Sequence, residues 1–351
     1  MLKTKSDLLA EALFGFTVDT IRVEAGLKRK VLSRLLILEQ KLVSLVQTVN
    51  PTQGLTVAFR TQDMQQIDAT AQYLIDTTYN DIQDDLLQDL AHYQTVENAF
   101  LQQTIKKITD KDILLPLTLL SIASVPIIGA TLQQWLERQS YQLHNNITDN
   151  VRLGIVQNLS TPDLVDKIRG IANGSVQVTV DDTKRTLTSY TNSIFDNTNN
   201  QAETLVQTAL QTVANQTQQA IFAANDTLIQ GLAAQVTLDN RTSFLCMGRA
   251  GFAWKFDGKP LNSITNIEFP GYPPWHWNCR TIIVPILYGD PIPQTLSYNT
   301  WLQQQTQTVQ KQILGPARYQ LWTQKKISLT DLTTKVGTTL TIEQLNQKYN
   351  K

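Results

Sequence analysis

From Val31 onward the apolar residues Leu35, Leu38, Leu42, Leu45 and Val49 recur by fours and threes, the spacing that lines one face of an α-helix. Ser6 and Asp7 are suited to cap such a helix near the N-terminus, and Asn50-Pro51 is a stop signal. A second helical pattern over 62–107 carries Ile75, Tyr79, Ile82, Leu86, Leu90 and Tyr93 on one face, with Asp and Gln on the others. The two predict an antiparallel hairpin. Its repeat is short, which favours packing within a bundle over coiled-coil oligomerisation. Asp81, Asp84, Asp85 and Asp89 lack the glycine turn and spacing of a calcium loop and read as a solvated helix face.

The run 113–132 carries no charged residue and is long enough to span a bilayer. Pro116, Pro126, the interspersed Ser and Thr, and Gly129 favour a segment buried in protein over a membrane helix. Helical spacing then continues through Leu143, Ile147 and Val151 to Gln157. Ser160-Thr161-Pro162 opens a further short helix. Val176 to Val180 alternates like a strand, 181–200 reads as helix or helix plus loop, and 200–231 as a long helix with Leu205, Ala209, Val213 and Ile221 inward.

Strand signals follow at 232–238, 249–256 and 280–287. Between them lie the polar turn 239–243, Cys246, the turn Asp257-Gly258, and the stretch Pro273-Pro274-Trp275-His276-Trp277-Asn278-Cys279-Arg280. That stretch places one of three histidines and one of two cysteines between tryptophans, on backbone that tandem prolines stiffen. Beyond the linker 289–293, a helix is predicted from about Thr300 through Ile313. Gly315-Pro316 divides it from the next, and Thr341 with Gln344 forms a capping box for a last one. The sum is a predominantly helical α+β chain with an N-terminal helical hairpin, a mixed domain holding a small sheet, and a helical tail. The corresponding regions are 1–112, 113–288 and 289–351.

The order Asp239-x-Arg241-Thr242, Cys246, Asp257-Gly258, then Pro273-Pro274-x-His276-x-Asn278-Cys279-Arg280 resembles the core of the bacteriophage head morphogenesis family, the Mu F-like minor head proteins. Further similarity runs from Pro126 to Lys348, including Val151-Arg152-Leu153-Gly154, Ile168-Arg169-Gly170 and Leu314-Gly315-Pro316, and leaves the first third without motif support. Many family members carry a Cys-x-x-Cys where this chain has Ser243 and Cys246, and a further Cys where it has Thr281. The resemblance implies a virion structural protein, not an enzyme, made in the host cytoplasm and residing in the head interior or at the portal vertex. Its partners would be the portal and other head proteins, with packaged DNA a further candidate contact. Its roles would be in head assembly, DNA packaging or DNA delivery.

Composition narrows the alternatives. Lys plus Arg and Asp plus Glu both number 30, so no global basic field argues for non-specific DNA binding. Two cysteines do not make a disulfide framework and fit a reducing compartment. The N-terminus shows no signal peptide. Cys246, His276 and Cys279 have types and spacing that suit zinc, yet with Ser243 and Thr281 in the neighbouring positions the set falls short of four ligands. The competing reading needs no cofactor: His276 and Asn278 tie a turn by hydrogen bonds, and the thiols are small buried hydrophobes. Flanking tryptophans argue against a Cys279–His276 nucleophile. Arg241 and Arg280 are expected to pair with a carboxylate such as Asp239 or Asp257. The remaining classes to weigh are a toxin-like effector domain and a membrane-active ejection protein using 113–132.

Overall fold

The computed structural model describes residues 3–48, 57–114, 116, 121–157, 159–293, 298–334 and 337–349. The fold is predominantly helical α+β, as the periodicity predicts. Asn50-Pro51, Val49 and, within the apolar run, residues 115 and 117–120 lie outside the described residues. The chain divides into two compact units: residues 1–19, 94–120 and 211–351 form the first, and 20–93 with 121–210 the second. The sequence-read boundaries near 112 and 288 both fall inside the first of these.

The second unit takes most of helices α1 (Lys5–Gln47) and α2 (Val57–Thr109), together with α3 (Leu132–Val156), α4 (Thr161–Arg169) and the start of α5 (Phe195–Ala224). The predicted stripes are inward: Val31, Leu35, Leu38 and Leu42 on α1, and Ile75, Tyr79, Ile82, Leu86 and Leu90 on α2, are all buried. The acidic cluster is not a free solvated face. Lys30 Nζ lies 3.2 Å from Asp85 and 2.9 Å from Asp89, while Arg34 reaches Asp85 at 2.6 Å, Asp81 at 3.4 Å and Asp181 at 3.1 Å. The pairs to Asp81, Asp85 and Asp89 run antiparallel and join α1 to α2, while Asp181 reaches Arg34 from a later turn; Asp84 stays exposed. Sequence spacing on one helix does not reveal bases that only tertiary packing brings opposite.

The reading of 181–200 as helix or helix plus loop holds only from Phe195, where α5 starts, and is otherwise corrected. β1 (Ile171–Val180) and β2 (Thr183–Thr191) form an antiparallel hairpin. Asp181 and Asp182 form its two-residue turn with φ of 49° and 59°, the left-handed pair that a tight hairpin requires and that Asp tolerates. The strand read from the alternation of Val176 to Val180 is the second half of β1, whereas β2 has no buried residue and so no apolar alternation to mark it.

The first unit is built on a three-stranded antiparallel sheet in the order β4 (Ala253–Lys255), β3 (Ile229–Gln235), β5 (Ile282–Leu287). One core cluster joins these strands to Leu9 and Leu13 of α1, Leu101 and Ile105 of α2, and Ile221 and Phe222 of α5. Gly231 on the central strand is required by close approach, since a Cβ there would stand 2.5 Å from the Trp254 carbonyl oxygen. The N-terminus is tied in by Ser6, whose hydroxyl accepts from the Leu287 N–H at 2.9 Å and donates to Asp290 at 2.8 Å. Where 249–256 reads as strand, only 253–255 is, and residues around Cys246 form a short helix, α6 (Phe244–Arg249), capped by Ser243. The helix predicted from 300 to 313 breaks into α7 (Tyr298–Gln303) and α8 (Gln307–Leu314), because Thr306 caps a new start. Helices α9 (Pro316–Thr323) and α10 (Ile342–Tyr349) complete the tail. The apolar run is not uniformly buried: Leu114 is 66% exposed, Val125 and Ile127 are covered, and 122–124 is a single 3₁₀ turn. Among the described residues no helix is long and apolar enough to cross a membrane.

One buried acid gives the second unit a pH dependence. Glu39 accepts a 2.9 Å hydrogen bond from Ser193, whose oxygen also accepts from the Phe195 N–H at the start of α5. Burial pushes its pKa up to about 7, Asp196 adds to the rise, and the Ser193 bond opposes it. The folded protein therefore holds this proton where the unfolded chain, with an ordinary pKa near 4, has lost it. Stability falls as pH rises from about 4 through 7. Glu39→Gln keeps an acceptor for Ser193, so its melting temperature should exceed the parent's by roughly 2–6 °C at pH 8 and match it near pH 4. Parallel calorimetric scans at the two pH values check this.

The first unit's dependence on α1 is tested separately. Leu9→Ala should cost about 2–5 kcal/mol by opening a cavity against the sheet, read by urea unfolding.

Candidate metal centre

Asp239 follows β3 and Arg280 precedes β5, and they form a two-pronged pair: Nη1 to Oδ2 at 2.6 Å and Nη2 to Oδ1 at 2.7 Å. Asp239 also accepts from the Arg241 N–H at 2.9 Å and the Thr242 hydroxyl at 3.2 Å, so the turn folds around its carboxylate. The single Thr242 hydroxyl hydrogen is shared between Asp239 and the nearer Thr237 carbonyl, and the Tyr298 hydroxyl donates to the Asp239 carbonyl. The Arg241 side chain lies largely in solvent, 3.8 Å from Asp239. The Arg280 hydrogen bond above all holds the Asp239 pKa down at about 2, against the opposing effect of partial burial.

This pairing brings α6 beside the proline-tryptophan stretch. Cys246 Sγ lies 3.1 Å from His276 Nε2 and 3.8 Å from Cys279 Sγ, and the three ligand atoms lie within 4.8 Å of one another. Cys246 and Cys279 are 3% and 1% exposed, which closes them to a macromolecular substrate. His276 Nδ1 is 2.7 Å from the Trp277 carbonyl. A carbonyl only accepts, so Nδ1 carries the hydrogen and the neutral ring leaves its lone pair on Nε2, facing the thiols. That is the outer hydrogen bond which orients a metal-ligating histidine.

Ser243 and Thr281 both reach the cluster. The Ser243 hydroxyl is 2.8 Å from Nε2 while accepting from the Cys246 N–H, and the Thr281 hydroxyl donates to Cys246 Sγ at 3.1 Å. Burial is the largest influence on the His276 pKa and works to lower it, but the hydrogen bond and charge of Cys279 together with the Trp277 carbonyl turn the net direction upward. The two thiols share one ionisation. The Cys246 S–H bond and His276 hold Cys279 low, whereas the same bond and burial raise Cys246. Two thiolates on one tetrahedral zinc sit roughly 3.8 Å apart for metal–sulfur bonds of about 2.3 Å, which the sulfur pair already matches. This Cys-His-Cys group could hold a metal ion.

The remaining motif residues support the site's frame. Pro273 is buried and joined to Pro274 by a cis peptide bond. Asn278 is exposed with φ of 59°, closing the turn in which the Cys279 N–H bonds the His276 carbonyl at 3.2 Å. Asp257 and Gly258 lie apart from the cluster in the turn after β4, where Gly258 has φ of 84° and Asp257 accepts from the Lys259 N–H at 3.0 Å. Sequence reasoning did not single out Arg249, a buried guanidinium 4.6 Å over the Trp275 ring, or Tyr298. Neither has a local signal, since both meet the site only through tertiary packing. No family model, no curated protein and no solved structure matches this chain.

Because the folded Asp239 pKa lies below its unfolded value, the stabilisation from its pairing with Arg280 is present above pH 4 and is lost as pH falls towards 2. Asp239→Asn should lower the melting temperature at pH 7 and flatten the acid-unfolding curve between about pH 4 and 2. Circular dichroism across that interval reads both effects. An unchanged acid limb would mean that another carboxylate controls acid unfolding.

Proposed function

We propose that this chain is a structural protein whose first unit is tied together by a zinc ion, and that it serves as a minor head protein of a tailed bacteriophage. The reading is supported by one observation above the rest: residues set in series by the head-morphogenesis motif, from Asp239 to Arg280 and apart from Asp257-Gly258, meet around one site. Asp239 clasps Arg280, Ser243 faces His276, and Cys246 touches Cys279. Ser243 and Thr281, at positions where many family members carry cysteine, also point into it. Cys246, His276 and Cys279 would hold the zinc, linking α6 to the turn before β5. A zinc so held supplies folding energy and no reaction step.

As a minor head protein it would contact the portal and other head proteins, within the head or at the portal vertex, and act in assembly, packaging or delivery of DNA. The apolar stripes of α1 and α2 are used within the chain, so portal contacts fall to other surfaces. The membrane-active alternative draws no support from a spanning helix among the described residues.

Two measurements test the proposal. Mass spectrometry of purified particles should find the chain in both full and empty heads, and its absence from both would overturn the virion assignment. Elemental analysis of the purified chain should find about one zinc, lost in His276→Ala. Chelation should lower the melting temperature of the parent well beyond the loss of roughly 1–3 kcal/mol expected for an unpaired buried group. No zinc, with stability indifferent to chelator, would leave a purely hydrogen-bonded knot.

A further inference from the structure

The two sulfurs also carry a chemistry that depends on their contact alone. We infer that Cys246 and Cys279 are a modification site: in the metal-free protein a peroxide converts them to an intrachain disulfide. Their Sγ atoms are 3.8 Å apart, so bond formation at about 2.05 Å requires the sulfurs to close by less than 2 Å, within reach of side-chain adjustment. The chain has no other cysteine, so no competing intrachain pairing exists. The sulfurs are buried, but His276, Trp275 and Trp277 are only half-buried and Asn278 is exposed, leaving an approach for an oxidant scarcely larger than water.

The step balances without a further reactant. One cysteine sulfur attacks the peroxide, breaking its O–O bond, and becomes a sulfenic acid with release of one water. The second sulfur then displaces the hydroxyl, forming the S–S bond and releasing another water. Two thiols are oxidised by two electrons and one hydrogen peroxide is reduced to two waters. The bond would join α6 to the turn before β5, the same connection that the proposed zinc makes. Because a metal engages the same sulfur electron pairs, zinc and disulfide exclude one another, and this protection rests on the metal reading above.

The test uses the full chain, freed of metal by chelation and treated with hydrogen peroxide. Thiols are counted after denaturation, and the intact mass is measured. The expected result is loss of both thiols, a mass lower by two hydrogen atoms, and full reversal by dithiothreitol. Zinc-loaded protein should oxidise at least about tenfold more slowly. Cys246→Ser should instead retain oxygen on Cys279, with no hydrogen loss. If the parent keeps both thiols, or gains only oxygen, the dithiol assignment is overturned. Disulfide formation at the same rate with and without zinc would uphold the dithiol and count against the metal, so the two readings fail separately.

Discussion

The pairing of Asp239 with Arg280 is the constraint on which the site depends. It joins the residue that leaves β3 to the residue that enters β5, continuing past the sheet the neighbourhood that the strand ladder establishes between Gln235 and Ile282. A partly buried two-pronged ion pair is directional as well as attractive. Arg280 satisfies both carboxylate oxygens, and the adjoining Cys279 is buried. On the other side, Asp239 gathers the backbone of Arg241 and the hydroxyl of Thr242, which sets where Ser243 caps α6. The position of Cys246 in the first turn of that helix follows. The two cysteines thus stand on the backbone segments that this ion pair joins.

The two compact units illustrate different uses of charge and polarity. In the second, Arg34 and Lys30 neutralise an acidic row that would otherwise repel itself along α2, and the partners sit at the edge of the apolar stripe where side chains remain partly hydrated. Glu39 is the contrasting case, a carboxyl taken into the interior with a single hydroxyl donor for compensation. In the first unit, Asn225 uses its amide to bond both the N–H and the carbonyl of Leu114, at 2.8 and 2.9 Å. It thus holds a segment that has no ladder of its own.

Much of the architecture was legible because burial imposes a period. The stripes on α1, α2, α3 and α5 follow helical spacing, and the capping residues Ser160 and Thr341 mark starts by a local hydrogen bond that needs no distant partner, whereas the cap at Thr306 was passed over. Of the β1–β2 hairpin only Val176 to Val180 alternated legibly; β2, with no buried residue, gave no apolar alternation to read. The helix around Cys246 escaped for another reason: six residues are too few to show a period.

By itself the sequence determined the helical stripes, the three-strand outline and the concentration of Cys, His and Trp near residue 276, because each depends on neighbours within a few positions along the chain. Tertiary structure alone decided that Ser243, Cys246, His276, Cys279 and Thr281 share one pocket of space, that Arg280 and not Arg241 takes Asp239 in two-pronged fashion, and that Lys30 and Arg34 face the acidic row. Those contacts join residues tens of positions apart. The geometry joining them is set by strand pairing and helix packing, which no local pattern encodes.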